Sequence, residues 1–293
     1  MKRPSTRGPR IALSGVVAAG VLGLSACQAA PPLEALPDGV TVGIHQNRDD
    51  YGPRRLEISV TNDGEDEITV TRATLESAVF AADTSTERSS EIPTGVTRDL
   101  KVTLEDTVCA PGTAEDTRVR LQFRMPDGQS GEAVVTPGDA FGAIARVHAQ
   151  DCLEETTLSI VDIVPSETLR VVDVAGTPTA QLDVAITPRA SSGAAGTVTV
   201  ESLGRTVLIR PPATDFWPVG KTFSAQSDPA LVTLDIVPNN CNTHTVAEDK
   251  RGTFFPVQVS TSQGGTGTFY VGVSDAVRGQ IYDYIAHDFC RWS

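Results

Sequence analysis

A period of two is the sequence feature that most constrains this fold, because apolar and polar residues alternate one by one along many short segments. Residues 56–61 (LEISVT) alternate in this way, and residues 68–71 (ITVT) do so again after the turn sequence Asn62–Asp63–Gly64. Successive side chains of a strand point to opposite faces, so each segment predicts a strand with one buried and one solvated face. The two segments and their turn predict an antiparallel hairpin.

The same plan occurs twice along the chain. In each half, a strand of the type Val-Thr-Leu leads to a cysteine, Cys109 in the first and Cys241 in the second. Further strands follow, and then helical spacing of apolar residues over 139–152 and 274–290, both of which end at a cysteine. The chain is therefore predicted to be mainly β, with two tandem antiparallel β-sandwich-like domains, each carrying a short C-terminal helix and one disulfide.

The N-terminus has the order of an export signal. Basic residues precede an uncharged stretch of about 16 residues, Ile11–Ala26, which is shorter than the roughly 20 residues that span a bilayer. The stretch ends within the tetrapeptide Leu24–Ser25–Ala26–Cys27, which resembles the lipobox of bacterial lipoproteins. The resemblance implies a signal peptide over residues 1–26, acyl chains on Cys27, and a location on the extracytoplasmic face of the cell membrane. Two or more such chains hold a protein firmly on a membrane.

Four further cysteines follow Cys27 in the sequence: Cys109, Cys152, Cys241 and Cys290. In an exported protein an even number of cysteines indicates disulfides, and four cysteines allow three pairings. Spacing alone does not choose among the pairings. The repeat does, because each half carries one cysteine after a strand and one at the end of a helix. It predicts the pairs Cys109–Cys152 and Cys241–Cys290.

The domain boundaries follow from this organisation. Residues 27–39 are rich in proline and alanine and are interpreted as a tether, residues 40–154 as the first domain and residues 158–293 as the second. Residues 158–164 fit either the last strand of the first domain or the first strand of the second. By strand pattern and disulfide number, the two domains resemble immunoglobulin-like modules of bacterial surface proteins.

Net charge bears on the partners of the chain. Removal of residues 1–26 removes four positive charges and no negative ones, which changes the formal net charge from −13 to about −17. A chain this acidic is repelled by the phosphates of nucleic acid, so DNA or RNA binding is disfavoured. The charge favours solubility and cationic partners without selecting one.

No pattern for catalysis or metal binding is found in the sequence. The histidines are His45, His148, His244 and His287. None belongs to a His-Glu-x-x-His motif or has the spacing to a cysteine that zinc sites show. There is no Gly-x-Ser-x-Gly elbow, and Gly264–Gly267 lacks the lysine of a phosphate loop. We therefore expect no catalytic residue, no metal, no cofactor and no enzymatic activity.

Two adjacent aromatic residues, Phe216 and Trp217, lie in a proline-rich connection over residues 210–218. Exposed aromatic rings on stiff loops anchor protein partners or stack on sugars. The alternative is that both rings fold back onto the sheet edge. The first interpretation predicts a non-enzymatic binding or scaffold module of the cell envelope that contacts an envelope protein or a cell-wall glycan. A solute- or glycan-binding lipoprotein that serves transport or cell-wall processes, and an envelope hydrolase, are the alternatives.

Overall fold

A computed structural model of the protein describes residues 31–86, 88–110, 116–190, 195–248 and 251–292. Within these ranges the chain is mainly β, as predicted, and its strands form four antiparallel sheets. The predicted signal peptide and the predicted lipid site Cys27 lie outside the described residues. None of the described helices is both long and apolar enough to cross a membrane.

The N-terminal half contains two of the sheets. Its strands are β1 (Val40–His45), β2 (Arg55–Asn62), β3 (Ile68–Ser77), β4 (Thr84–Ser85), β5 (Ser90–Ile92), β6 (Val96–Thr103), β7 (Thr117–Arg124) and β8 (Ser130–Val135). One sheet has the order β1-β2-β6, and the other has the order β4-β3-β7-β8 with β5 also paired to β3. The apolar residues of both sheets, Leu56, Ile58 and Leu121 among them, meet in one buried core.

The predicted hairpin between residues 56–61 and 68–71 is wrong, because β2 and β3 belong to different sheets. Their connection is held by Asn62, which is fully buried and donates its side-chain N–H groups to the carbonyls of Asp66 and Ile92, both at 2.9 Å. The Asn62 side-chain oxygen accepts from the N–H of Gly64 at 3.0 Å. The turn therefore carries the chain from one sheet to the other across the edge of the core.

The C-terminal half contains the other two sheets. Its strands are β9 (Val161–Val174), β10 (Thr177–Pro188), β11 (Val198–Gly204), β12 (Ile209–Arg210), β13 (Phe216–Phe223), β14 (Ala230–Pro238), β15 (Phe254–Thr261) and β16 (Thr266–Gly272). The sheet orders are β12-β14-β10-β9 and β13-β11-β15-β16. A second buried core includes Phe255 and Tyr284, and the Tyr284 hydroxyl lies 2.9 Å from the carbonyl of Pro178 and 3.0 Å from that of Ile236. Burial raises the pKa of Tyr284 to about 12.

A helix, α1 (Ala143–Ile160), connects the two halves and continues directly into β9. Its first turns contribute Ile144 and Val147 to the N-terminal core, and its last turns contribute Leu153 and Ile160 to the C-terminal core. The helix is longer than the predicted one, which ended at Cys152. Residues 158–160 belong to it and form no strand, and β9 starts at the next residue. Asp139 accepts the N–H groups of Ala143 and Ile144 in the first turn.

Two helices follow in the C-terminal half, α2 (Thr243–Ala247) and α3 (Asp275–Asp283), and a π-helical segment, Tyr284–Phe289, extends α3. Ser274 caps α3, since its hydroxyl accepts from the N–H of Val277 at 3.3 Å. The sequence predicted this helix. It did not predict α2 or the π-helical form of the last turns before Cys290.

The disulfides join the pairs that the repeat predicted. Cys109 is bonded to Cys152 and Cys241 to Cys290, with Cα atoms 5.4 and 5.5 Å apart. The first bond ties the segment after β6 to the middle of α1. The second ties the segment after β14 to the end of the π-helical turn.

The predicted tether is attached to the fold over part of its length. The N–H of Leu33 donates to the carbonyl of Ser130 at 3.0 Å, and the N–H of Glu132 donates to the carbonyl of Leu33 at 2.8 Å. Leu36 packs against the N-terminal core. This part of the segment is therefore attached to the fold, at β8 through Leu33 and at the N-terminal core through Leu36.

Candidate functional site

The loop over residues 46–54 covers the outer face of the β1-β2-β6 sheet and buries two carboxylates there. Asp50, in a short 3-10 turn of this loop, is fully buried, and Glu57 of β2 is 2% exposed. An outward-facing position on an antiparallel sheet is normally solvated. Burying a carboxylate costs several kcal/mol unless the charge is paired, so these two groups need partners.

Cations from the neighbouring strands supply those partners. Arg55 Nη2 lies 3.2 Å from Asp50 Oδ1. Lys101 Nζ lies 3.6 Å from the same oxygen and 3.2 Å from Glu57 Oε1. The hydrogen bond to Glu57 and the charge of Asp50 raise the pKa of Lys101 above its ordinary value of 10.5. The underside of the loop is therefore held on the sheet by ion pairs.

A second group of polar side chains, the His45 cluster (His45, Glu57, Ser59 and Asp99), lies on the same face. His45 Nε2 is 3.0 Å from Glu57 Oε2 and 4.0 Å from Asp99 Oδ1. Ser59 Oγ is 2.9 Å from His45 Nδ1 and donates to Asp99 Oδ1 at 2.5 Å. One ligand atom from each of His45, Glu57 and Asp99 lies within 4.8 Å of the others, which is the geometry of a group that can hold a metal ion.

A cleft of about 690 Å³ lies between the two halves. The upper side of loop 46–54 forms one wall and α1 another, and the third comes from the C-terminal half through Phe254 of β15, Tyr270 of β16 and Arg278 of α3. This cleft, which we call the interhalf cleft, is of the size of small-molecule sites, which measure roughly 300–1,000 Å³.

Charges of both signs line the α1 wall of the interhalf cleft. Arg54 Nη1 pairs with Asp151 Oδ2 at 3.0 Å, and the Thr107 hydroxyl donates to the same oxygen at 2.5 Å. Burial raises the pKa of Glu154 above its ordinary value of 4.5, and the negative charge of Asp151 raises it further, whereas Arg54 opposes the shift. Desolvated carboxylates that line a cavity are groups that a bound ligand can contact.

A cation–aromatic stack connects the two halves at the mouth of the cleft. The guanidinium carbon of Arg251 lies 4.3 Å from the ring centroid of Tyr51 and 4.1 Å from that of Tyr270. Tyr51 belongs to loop 46–54, and Tyr270 belongs to β16 of the C-terminal half. Each contact at such a distance contributes about 0.5–2 kcal/mol. The stack therefore ties the loop to the opposite wall of the interhalf cleft.

Replacement of Glu154 with Gln is expected to stabilise the protein at neutral and alkaline pH. The pKa of Glu154 is raised in the folded state, so proton binding by Glu154 stabilises the folded protein, fully so below about pH 4.5. This stabilisation is lost as the pH rises through the raised pKa. Gln carries no charge, so the variant should unfold at higher urea concentration than the parent at about pH 8, with no difference below about pH 4.5. The exposed neighbour Glu155→Gln is the control and should change neither midpoint. Lower stability of Glu154→Gln at high pH would contradict the prediction.

The sequence-predicted pair Phe216 and Trp217 separates in the structure. Phe216 is 49% exposed, whereas Trp217 is 6% exposed and lies in the C-terminal core. The Trp217 Nε1–H donates to the carbonyl of Asp235 at 2.9 Å, and its ring meets Phe255 edge-on at 5.6 Å. Trp217 is therefore a core residue in this structure, and of the two rings only that of Phe216 is exposed. Neither residue lines the interhalf cleft.

The remaining histidines lie apart from the His45 cluster. His148 Nε2 contacts the carbonyl of Val108 at 3.1 Å on the N-terminal side of α1, and His287 Nδ1 pairs with Asp283 at 2.8 Å in an exposed turn. His244 lies in α2.

Sequence reasoning missed both the His45 cluster and the interhalf cleft. Glu57 and Ser59 were assigned to the solvated face of a strand; both lie on the face away from the core, but Glu57 is buried there. What the sequence could not supply is the pairing of β2 with β1 and β6, which brings residues 45 and 99 beside them. The signal in the sequence is that His45, Glu57 and Asp99 occupy polar positions of three strands. It indicates a cluster only once the order of those strands in the sheet is known.

Comparisons with known proteins identify no relative. No family model matches the chain, and no curated protein matches it. Among solved structures, red sea bream transglutaminase is similar over 82% of this chain and 32% of its own, with 11% identity and a TM-score of 0.24. The YadV chaperone is similar over 75% of this chain and 92% of its own, with 13% identity and a TM-score of 0.20. The CBD12 calcium-binding domain of CALX1.1 is similar over 78% of this chain and 80% of its own, with 13% identity and a TM-score of 0.18.

These likenesses are weak similarities to immunoglobulin-like β-sandwich domains. This chain spans about a third of the length of the transglutaminase that it resembles. At such TM-scores the likeness carries no argument about ligand, partner or activity.

Proposed function

We propose that this chain is a lipid-anchored, non-enzymatic binding protein on the extracytoplasmic face of a bacterial cell membrane, and that the interhalf cleft is its binding site. In this proposal residues 40–154 and 158–293 are two β-sandwich-like domains, and Cys27 carries the lipid. The observation on which the proposal depends is the cleft of about 690 Å³, with walls from both halves and from the helix between them.

The chemistry of the cleft favours a small solute or a glycan over a flat protein surface. Tyr51, Phe254 and Tyr270 present aromatic rings in one cavity, next to arginines and carboxylates. A few convergent polar groups among apolar and aromatic side chains are typical of small-molecule sites, and aromatic rings stack well on sugars. Concave walls also enclose a small ligand more completely than they enclose a folded partner.

Anchor and charge support the proposed location. The Leu24–Cys27 motif follows a basic and then an apolar segment, which is the order of a lipoprotein signal. The formal net charge of −13 disfavours contact with nucleic acid, in keeping with a role outside the cytoplasm. Disulfides persist in oxidising compartments, and this chain has two.

The test uses a photo-crosslinking amino acid at Gln150, which lines the interhalf cleft, in cells that produce the full chain. The matched control carries it at Lys221, an exposed position on β13 that does not line the cleft. We expect a discrete glycan or solute adduct from position 150 and none from position 221, measured by mass spectrometry. Equal labelling at both positions, or none at either, would overturn the cleft as binding site. Cys27→Ser should release the chain from the membrane, and its retention there would overturn the anchor.

A protein-binding surface at Phe216 is the second candidate function. The observation that favours it is the exposure of this ring, 49%, at the start of β13. The same crosslinker placed at position 216 would give a protein adduct that position 221 does not give. Recovery of no protein from position 216 would remove this candidate.

A further inference from the structure

The three possible ligands of the His45 cluster come from three adjacent strands and share one face of their sheet. Strand register places His45 of β1 opposite Glu57 of β2, and Ser59 of β2 opposite Asp99 of β6. Glu57 is nearly fully buried, while His45 and Asp99 have side chains 27% and 43% exposed. The cluster is therefore fixed at its base by the sheet and open to small ions from solvent.

Ser59 fixes the orientation of the His45 ring. Ser59 has a single hydroxyl hydrogen, and its 2.5 Å contact with Asp99 uses it. The Ser59 oxygen then accepts from Nδ1 of His45 at 2.9 Å, so Nδ1 carries a hydrogen. Nε2 faces a carboxylate oxygen of Glu57 at 3.0 Å, and the side-chain nitrogen of Asn47 lies 3.3 Å from it. Nε2 is therefore the ring nitrogen that a metal ion beside Glu57 would contact.

The charges around the cluster point the same way. Asp50, Glu57 and Asp99 are negative, and their cationic partners are Arg55 and Lys101. His45 apart, these residues carry three negative charges against two positive ones. Asn47 donates to Glu57 Oε2 at 2.7 Å, but this amide adds no charge. A bound cation would offset the excess negative charge.

The two distances measured from His45 Nε2 fit a single metal ion. Nitrogen and oxygen ligands lie about 2.0–2.2 Å from Zn²⁺, so two ligands are about 2.9 Å apart at a right angle and about 4.2 Å apart on opposite sides. The distances from His45 Nε2, 3.0 Å to Glu57 and 4.0 Å to Asp99, lie within these limits. Ser59 on Nδ1 holds the imidazole ring in the way that outer-sphere partners hold metal-binding histidines.

We propose that His45 Nε2, Glu57 Oε2 and Asp99 Oδ1 bind a divalent transition-metal ion, with water in the remaining coordination positions. One imidazole and two carboxylates suit Zn²⁺ or Mn²⁺. The ion would neutralise Glu57 directly beneath loop 46–54, which forms a wall of the interhalf cleft. The site does not depend on the proposed binding function, because it lies on the opposite side of that loop.

The test is titration of the full chain in detergent with Zn²⁺ and with Mn²⁺ by isothermal calorimetry, and with Co²⁺ by visible absorption. We expect one ion per chain, and a Co²⁺ spectrum that Zn²⁺ abolishes. Asp99→Asn and His45→Gln should each weaken binding by at least about tenfold. Both residues are partly exposed, so the variants should fold, which thermal unfolding without metal will verify.

The matched control is His287→Gln, which removes another surface histidine paired with an aspartate. This variant should bind metal as the parent does. Weakening by His287→Gln as large as that by His45→Gln would overturn the site, because it would show general surface binding. Absence of binding by the parent protein would overturn it as well.

Discussion

Trp217→Ala is expected to lower the free energy of unfolding by about 3–5 kcal/mol, as removal of a buried aromatic ring usually does. The side chain is 6% exposed, contacts Phe255 edge-on and donates to the carbonyl of Asp235. Alanine would leave a cavity between the sheets of the C-terminal half and an unpaired carbonyl beside it. Chemical denaturation of the full chain in detergent, followed by tryptophan fluorescence and circular dichroism, measures the change.

Phe216→Ala is the matched comparison, because the two residues are neighbours in one strand and differ mainly in burial. Phe216 is 49% exposed, so its removal should change the free energy of unfolding by less than about 0.5 kcal/mol. Equal effects of the two substitutions would contradict the structure. Loss of an envelope adduct in Phe216→Ala, with unchanged stability, would support the partner surface proposed for this ring.

The aromatic pair shows what alternation can and cannot determine. Adjacent residues of a strand point to opposite faces, so within a strand only one of Phe216 and Trp217 can reach the core. The sequence analysis treated the two rings alike, as both exposed or both folded back, because the prolines around them indicated a connection and not the strand β13. Periodicity predicts which face a residue occupies once the strand is known, but proline-rich sequence hides where the strand begins.

Strand pairing was the step that sequence could not supply. Local alternation depends on one segment and one solvated face, and it correctly predicted strands at residues 56–61 and 68–71. Pairing depends on the whole core. Both strands bury apolar faces on the same core from opposite sheets, so a turn sequence typical of a hairpin instead joins two sheets. The buried side chain of Asn62, which holds that connection, looks like an ordinary turn residue in the sequence.

Helix α1 explains why the sequence did not show how the two halves are joined. Its buried residues near Ile144 and those near Thr157 lie on faces roughly a third of a turn apart, since each residue rotates the helix by about 100°. Each end buries a different stripe in a different core. No single helical stripe therefore runs through residues 143–160, and the β-branched residues near its end look like strand. The walls of the interhalf cleft depend on this helix, so they could not be predicted either.

Removal of either disulfide is expected to cost about 4 kcal/mol, because each bond closes a long loop. The bonded cysteines are 43 and 49 positions apart. For loops of this length, the loss of chain entropy in the unfolded state gives about 4 kcal/mol for each bond. The two paired variants, Cys109→Ser with Cys152→Ser and Cys241→Ser with Cys290→Ser, should therefore unfold at clearly lower denaturant concentration than the parent.

The pairing itself is tested by comparing single and paired substitutions. If Cys109 is bonded to Cys152, either single variant leaves a free thiol on the other, and the paired variant leaves none by thiol titration. Reduction should then destabilise each paired variant by only the contribution of its remaining bond. A mixed pair, such as Cys152→Ser with Cys241→Ser, should lose both bonds and about twice the stability, roughly 8 kcal/mol. A mixed pair that lost no more than a matched pair would contradict the assignment.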